Sequence, residues 1–282
     1  MSGWINMKDR VKRMYVLKKL SGLEQKLYFL LEAEDRKIVT AEEAMKLLKI
    51  PKLQAYGVLR KMEQKGALGK VKANLYVRIP AHIVHDRGSY AEDPVIVAAH
   101  LAWPYFLSYY TALALHGLAQ QAASQVYITT TKQAKVLTYK GSVIRPVRLR
   151  EKEFFGIEQI EYRDEKVAVS DLERTIVDVL SMPQYAGGYE EIVRCLMDAR
   201  EVKWDRLLGY IKRTGKRILL NRAGYVFDLL REPVKTPDAF LEELQASLSQ
   251  STYYFEKGKG GKFVGKWKVI VDARLEKATE GV

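Results

Sequence analysis

The stretch from Thr40 to Pro80 constrains this chain most, because its residues fit one ordered set of short elements. Thr40-Ala-Glu-Glu43 is a capping box: the threonine hydroxyl can accept an amide three residues on, and Glu43 can reach back. It starts a short helix over residues 41–48 with Ala44, Leu47 and Leu48 on one face. Lys49-Ile50-Pro51 supplies a tight turn, with proline suited to the first position of a new helix. The second helix, residues 51–65, carries Ala55, Val58, Leu59 and Met62 at i, i+3, i+4, i+7 spacing, so one stripe is core. Gly66 ends it. Residues 68–71 and 75–79, on either side of Lys72-Ala73-Asn74, predict a β-hairpin. Upstream, residues 23–31 predict an opening helix with Leu23, Leu27, Leu30 and Leu31 inward.

A helix of this kind, pinned by a shorter one and followed by a hairpin wing, is how many proteins enter the DNA major groove. The outer face of the second helix presents Lys52, Gln54, Tyr56, Gly57, Arg60 and Lys61. The expected DNA-contact set is Thr40, Lys52, Gln54, Tyr56, Arg60, Lys61, Lys70, Lys72 and Asn74. Within it, Lys52, Gln54, Tyr56 and Arg60 are expected to face the groove, with Gln54 or Arg60 as the base reader. Bidentate Arg–guanine and Gln–adenine pairs discriminate by roughly 1–3 kcal/mol each. Lys61, Lys70, Lys72 and Asn74 would touch phosphate or the neighbouring minor groove, positioning without specifying. Charge points the same way. Of the net +13, residues 1–80, with 18 Lys+Arg against 8 Asp+Glu, contribute +10. A basic segment beside a near-neutral remainder implies a polyanion partner at one end.

At 282 residues, with 48% hydrophobic content, two folded domains are expected. The reading is α+β: a basic arm and winged helix-turn-helix over 1–80, a linker over 81–93 lacking periodicity, and a larger mixed α/β regulatory or protein-interaction domain over 94–282. Asp93-Pro94 predicts a cap and helix start, followed by helices over 95–102 and 105–118 divided by Pro104. Strands are expected over 126–131, 136–139, 143–149 and 166–169. Ser170-Asp-Leu-Glu173 predicts a second capping box and a helix over 171–180, with helices at 189–197, 204–212, 216–230 and 237–248 and a closing strand over 263–271. Strands followed mostly by helices argue for an α+β second domain. No apolar run reaches the roughly 18 residues a membrane helix needs. The N-terminus lacks a signal-peptide core, so a cytoplasmic protein is expected. Asparagine is scarce (Asn6, Asn74, Asn221), which hints at a heat-adapted source.

Catalytic chemistry finds no constellation. There is no nucleophile elbow, P-loop or dinucleotide fingerprint. Asp164-Glu165-Lys166 and the later DARLEK segment (272–277) hold nuclease-type residues at the wrong spacing. Asp171, Glu173, Arg174 and Asp178 read as structural: helix-start acids, with Arg174 pairing Asp178 at i, i+4. His82 and His85 lie beside Asp86 without a third ligand nearby, His100 faces an apolar helix, and His116 sits at a helix end. Cys195 reads as a helix core position, and the tyrosines at 105, 109 and 110 as core. Neither metal, cofactor nor enzymatic activity is expected.

Three blocks carry a family resemblance: SYYTALALHGL (108–118), VYITTTK (126–132), and VSDLERTIVDVL (169–180) followed by YAGGYEE (185–191). Together they resemble the AbiEi family, across most of residues 20–230. That resemblance implies a winged helix ahead of an α/β domain and a role as transcriptional regulator or as antitoxin. It implies double-stranded promoter DNA as one partner. The protein partner it implies is a cognate nucleotidyltransferase toxin or a general transcription factor; regulators of this type also occur without a toxin in archaea, among them an activator that recruits transcription factor B. A homodimer would suit paired half-sites. The tail beyond about residue 232 matches no part of the family.

Overall fold

The computed structural model describes Tyr15, residues 18–86, 90–119, 125–256, 260–272 and Leu275. The chain divides into two compact units, Met1–Leu101 and Ala102–Val282. Most of the expected N-terminal arm lies outside the described residues.

Unit 1 runs α1 (Gly22–Ala33), β1 (Ile38–Val39), α2 (Ala41–Leu48), α3 (Lys52–Gln64), β2 (Leu68–Lys72) and β3 (Leu75–Arg78), then two short helices, α4 (Ala81–Asp86) and α5 (Pro94–Ala99). Its three strands form one antiparallel sheet in the order β1-β3-β2, with Ile38 opposite Val77 and Leu68 opposite Arg78. The Thr40 capping box is formed in both directions, the Glu43 amide donating to Oγ1 and the Thr40 amide to the Glu43 carboxylate. Lys49 closes α2 in the left-handed region at φ 56°. Pro51 caps α3 from just outside, so the helix begins at Lys52, one residue later than expected. Ala55, Val58, Leu59 and Met62 are buried as the spacing required, against Leu27, Tyr28 and Leu31 of α1.

Three features of unit 1 differ from the sequence reading. Residues 81–93 are not a plain linker: α4 buries Ala81 and Val84 in the unit 1 core, and the units divide only after Leu101. Helix α5 starts as expected, with Asp93 capping the Val95 amide at 2.8 Å, but His100 is exposed at its C-terminal cap rather than core. A second capping box, Ser21 with Glu24, opens α1.

Unit 2 is α+β, like the chain as a whole. Its main sheet has six mixed strands in the order β6-β7-β5-β4-β9-β8: β4 (Tyr105–Leu107), β5 (Gln125–Thr130), β6 (Leu137–Tyr139), β7 (Ser142–Arg148), β8 (Ile157–Tyr162) and β9 (Glu165–Ser170). The helix expected over 105–118 is instead a buried strand, β4, followed by α6 (Tyr109–Leu115). Tyr105, Phe106 and Leu107 are central to the sheet, between β5 and β9, where long-range pairing overrides local periodicity. Strand β8 is absent from the sequence reading: it is an edge strand with no buried residue, so its sequence, IEQIEY, shows no apolar alternation.

Helix α7 (Leu172–Ser181) is capped by Asp171, whose Oδ1 accepts the Arg174 amide at 2.8 Å. Ser170 is the last residue of β9, and its hydroxyl pairs with Thr175 at 2.8 Å, so the expected Ser170–Glu173 box does not form. Helices α8 (Tyr189–Met197), α9 (Trp204–Thr214), α10 (Arg217–Leu229), α11 (Arg231–Val234) and α12 (Asp238–Ala246) follow. Cys195 is buried in this core, as are Tyr105, Tyr109 and Tyr110 in theirs.

The tail closes unit 2. Strands β10 (Tyr253–Tyr254), β11 (Lys262–Val264) and β12 (Val269–Val271) form a small sheet in the order β10-β12-β11. The single strand expected over 263–271 is thus two, separated by a 3-10 turn at Gly265–Trp267. Trp267 is wholly buried on α10, where a Cβ at Gly224 would overlap its ring. Asp228 accepts its indole N–H at 2.8 Å, and Asn221 donates to its carbonyl at 2.8 Å.

Candidate nucleic-acid interface

Helix α3 carries the candidate interface because its two faces have opposite chemistry. The buried stripe fixes its rotation, which leaves Lys52, Leu53, Gln54, Tyr56, Gly57, Arg60, Lys61 and Gln64 exposed. Position is fixed at the other end by Lys65, whose Nζ donates to the Glu24 carboxylate of α1 at 2.6 Å. Burial opposes ionisation of Glu24, but hydrogen bonds from Lys65 and Ser21 outweigh it and hold the carboxyl below its ordinary range.

The expected contact residues fall into two groups. Gln54, Tyr56, Arg60, Lys61 and Lys70 are exposed. Lys52 is exposed too, and donates to Glu42 of α2 at 2.8 Å; that hydrogen bond raises the Lys52 pKa and lowers that of Glu42. An exposed pair of this kind contributes little to stability, so Lys52 can exchange its partner for a phosphate at small cost.

Thr40, Lys72 and Asn74 instead hold the scaffold. Thr40 is the N-cap of α2. Asn74 sits in the hairpin turn at φ 63°, and its Oδ1 accepts the Ala41 amide at 2.8 Å. Lys72 is half-buried and donates to the Leu101 carbonyl at 3.1 Å; burial lowers its pKa. Of the three cations expected on phosphate, Lys61 and Lys70 are exposed, while Lys72 is engaged within unit 1. Leu53 and Gln64 are also exposed on this face of α3, across from the buried stripe, and neither is in the expected contact set.

Unit 2 brings its charged residues together for structure. Arg174 pairs with Asp178 at 2.9 Å, donates to the Glu153 carbonyl at 2.8 Å, and its guanidinium lies 4.3 Å from the Phe155 ring centroid. Burial pushes the Asp178 carboxyl upward, against the charge of Arg174. Glu173 accepts the Lys203 amide at 2.7 Å, and Asp171 accepts the Tyr210 hydroxyl at 2.9 Å. His116 Nε2–H donates to the Ser170 carbonyl at 2.8 Å. A cavity of about 490 Å³ lies beside the N-terminus of α8, lined among others by Tyr189, Glu190, Glu191, Arg194, Glu256 and Asp272. Among the described residues, no group of three or more His, Cys, Asp or Glu is arranged to hold a metal ion. The side chain of His85 lies outside the described residues. No helix among the described residues is long and apolar enough to cross a membrane.

No protein-family model matches the chain, and no curated protein is significantly similar to it in sequence. In fold, it is similar to the crystal structure of the RV2827C protein from Mycobacterium tuberculosis, with a TM-score of 0.62 at 16% identity, covering 93% of this chain and 96% of that one.

Proposed function

We propose that this protein is a sequence-specific DNA-binding transcriptional regulator in which α3 reads promoter DNA and unit 2 contacts a protein partner. The observation that carries the proposal is the outward face of α3. Gln54, Tyr56, Arg60 and Lys61 project from a helix whose opposite side is locked into a core, beside a hairpin that offers Lys70. A rigid, basic, donor-rich helix is what direct readout of base edges requires. The concentration of +10 of the net +13 in residues 1–80 supports it, because phosphate neutralisation supplies most of the affinity for DNA. The AbiEi-like blocks of unit 2 support a protein partner there, either a general transcription factor or a cognate toxin whose operon the protein would autoregulate.

Footprinting of the full-length protein on the DNA upstream of its own gene, at two salt concentrations, tests the proposal. Protection of a discrete site that weakens as salt rises supports it. Absence of site-specific protection at both concentrations overturns it.

A further inference from the structure

The outermost column of α3 is Leu53, Gly57, Arg60 and Gln64, at i, i+4, i+7 and i+11. At about 100° per residue, these four lie within about 60° of one another and face directly away from the stripe formed by Ala55, Val58, Leu59 and Met62. Lys52 and Tyr56 flank the column on one side, Gln54 and Lys61 on the other. Leu53 is 85% exposed. A lone exposed leucine needs no explanation; this one lies on the midline of the outward face, at the N-terminal end of α3, among polar and cationic side chains. It stands outside the unit 1 core. Between it and Arg60, no atom lies within 4 Å of where a Cβ on Gly57 would be, so the helix surface is open at that step.

We infer that Leu53 is a specificity-determining residue that reads the C5-methyl group of a thymine in the major groove, about three base steps from a guanine read by Arg60. The inference rests on the DNA-reading proposal above. Thymine is the base that presents an apolar group on the major-groove edge, and apolar side chains select it by contact with that methyl. Leu53 and Arg60 are seven residues apart, about 10 Å along the helix axis. That spans about three base steps of 3.4 Å for a helix lying along the groove. The column therefore combines one apolar and one cationic reader, with Gly57 leaving room for the base pairs between them.

The test uses the full-length protein and a duplex carrying the sequence it enriches from a random pool. Each thymine is replaced in turn by deoxyuridine, which deletes the methyl and leaves base pairing intact. Burial of one methyl predicts a three- to five-fold loss of affinity at a thymine about three steps from the guanine that Arg60 requires. Leu53→Ala is expected to bind the thymine and deoxyuridine duplexes equally while melting at the wild-type temperature. Arg60→Ala is expected to retain the thymine preference. Wild-type protein indifferent to every deoxyuridine replacement, or a Leu53→Ala variant that keeps the preference, overturns the inference while leaving DNA reading intact. Failure to enrich any sequence from the pool overturns the DNA-reading proposal itself.

Discussion

The Asn74 side chain accepts the backbone amide of Ala41 at 2.8 Å, so the turn of the hairpin caps the first turn of α2. Thr40 serves the Glu43 amide in the same turn, and between them two otherwise unpaired helix donors are satisfied. The hairpin and the α2–α3 pair are thereby held as one piece. Asn74→Ala is expected to lower stability by about 2 kcal/mol, from a lost N-terminal hydrogen bond and from putting alanine, which tolerates the left-handed region less well than asparagine, at φ 63°. Asn74→Gly keeps the turn and is expected to lose only about 1 kcal/mol. Urea unfolding of the two variants measures the difference.

Salt dependence separates the exposed cations from the engaged one. Replacing Lys61 or Lys70 by alanine is expected to reduce the slope of log affinity against log salt by about 0.9, one phosphate contact each. Lys72→Ala is expected to leave that slope nearly unchanged and to lower stability instead, because its ammonium is bound to the Leu101 carbonyl. Binding isotherms at several salt concentrations, paired with thermal melts, distinguish the two outcomes.

The elements from Thr40 to Arg78 were legible because their signals are local. The Thr40–Glu43 box, the stripe from Ala55 to Met62 and the turn at Ala73-Asn74 each depend on neighbours within a few residues, and each formed. Unit 2 was less legible where partners are distant. Tyr105 to Leu107 continues the apolar pattern of the helix after it, and only its pairing with β5 and β9 makes it a strand. Ser170 and Asp171 are both good caps, and the choice fell to Asp171 because Ser170 is committed to the sheet. The site itself was read from residue types, which favoured polar side chains. Lys72 and Asn74 entered the contact set by their place on the hairpin, whereas the structure engages both within unit 1.

Glu24 makes unit 1 sensitive to acid. Its folded pKa is depressed below the ordinary 4.5, so its contribution is present above that pH and is lost as pH falls through the lower folded value. Glu24→Gln is expected to flatten the acid limb of the stability profile. Stability measured by urea unfolding from pH 3 to pH 7 should show the wild type losing more than the variant.

The packing of Trp267 on Gly224 ties the tail to α10. Gly224→Ala places a methyl group inside the indole ring and is expected to cost about 1–3 kcal/mol. A loss of tryptophan fluorescence structure at lower urea, with DNA binding by the folded protein retained, is the expected signature. A variant as stable as wild type would show that the tail does not close unit 2.

Whether α3 reads base pairs is measured by the ratio of affinities for a selected site and a shuffled duplex, in wild type and Arg60→Ala. Loss of one bidentate contact of roughly 1–3 kcal/mol predicts a fall in that ratio of about 5- to 150-fold, with the affinity for shuffled DNA falling far less. An unchanged ratio in Arg60→Ala and in Gln54→Ala alike would contradict the account.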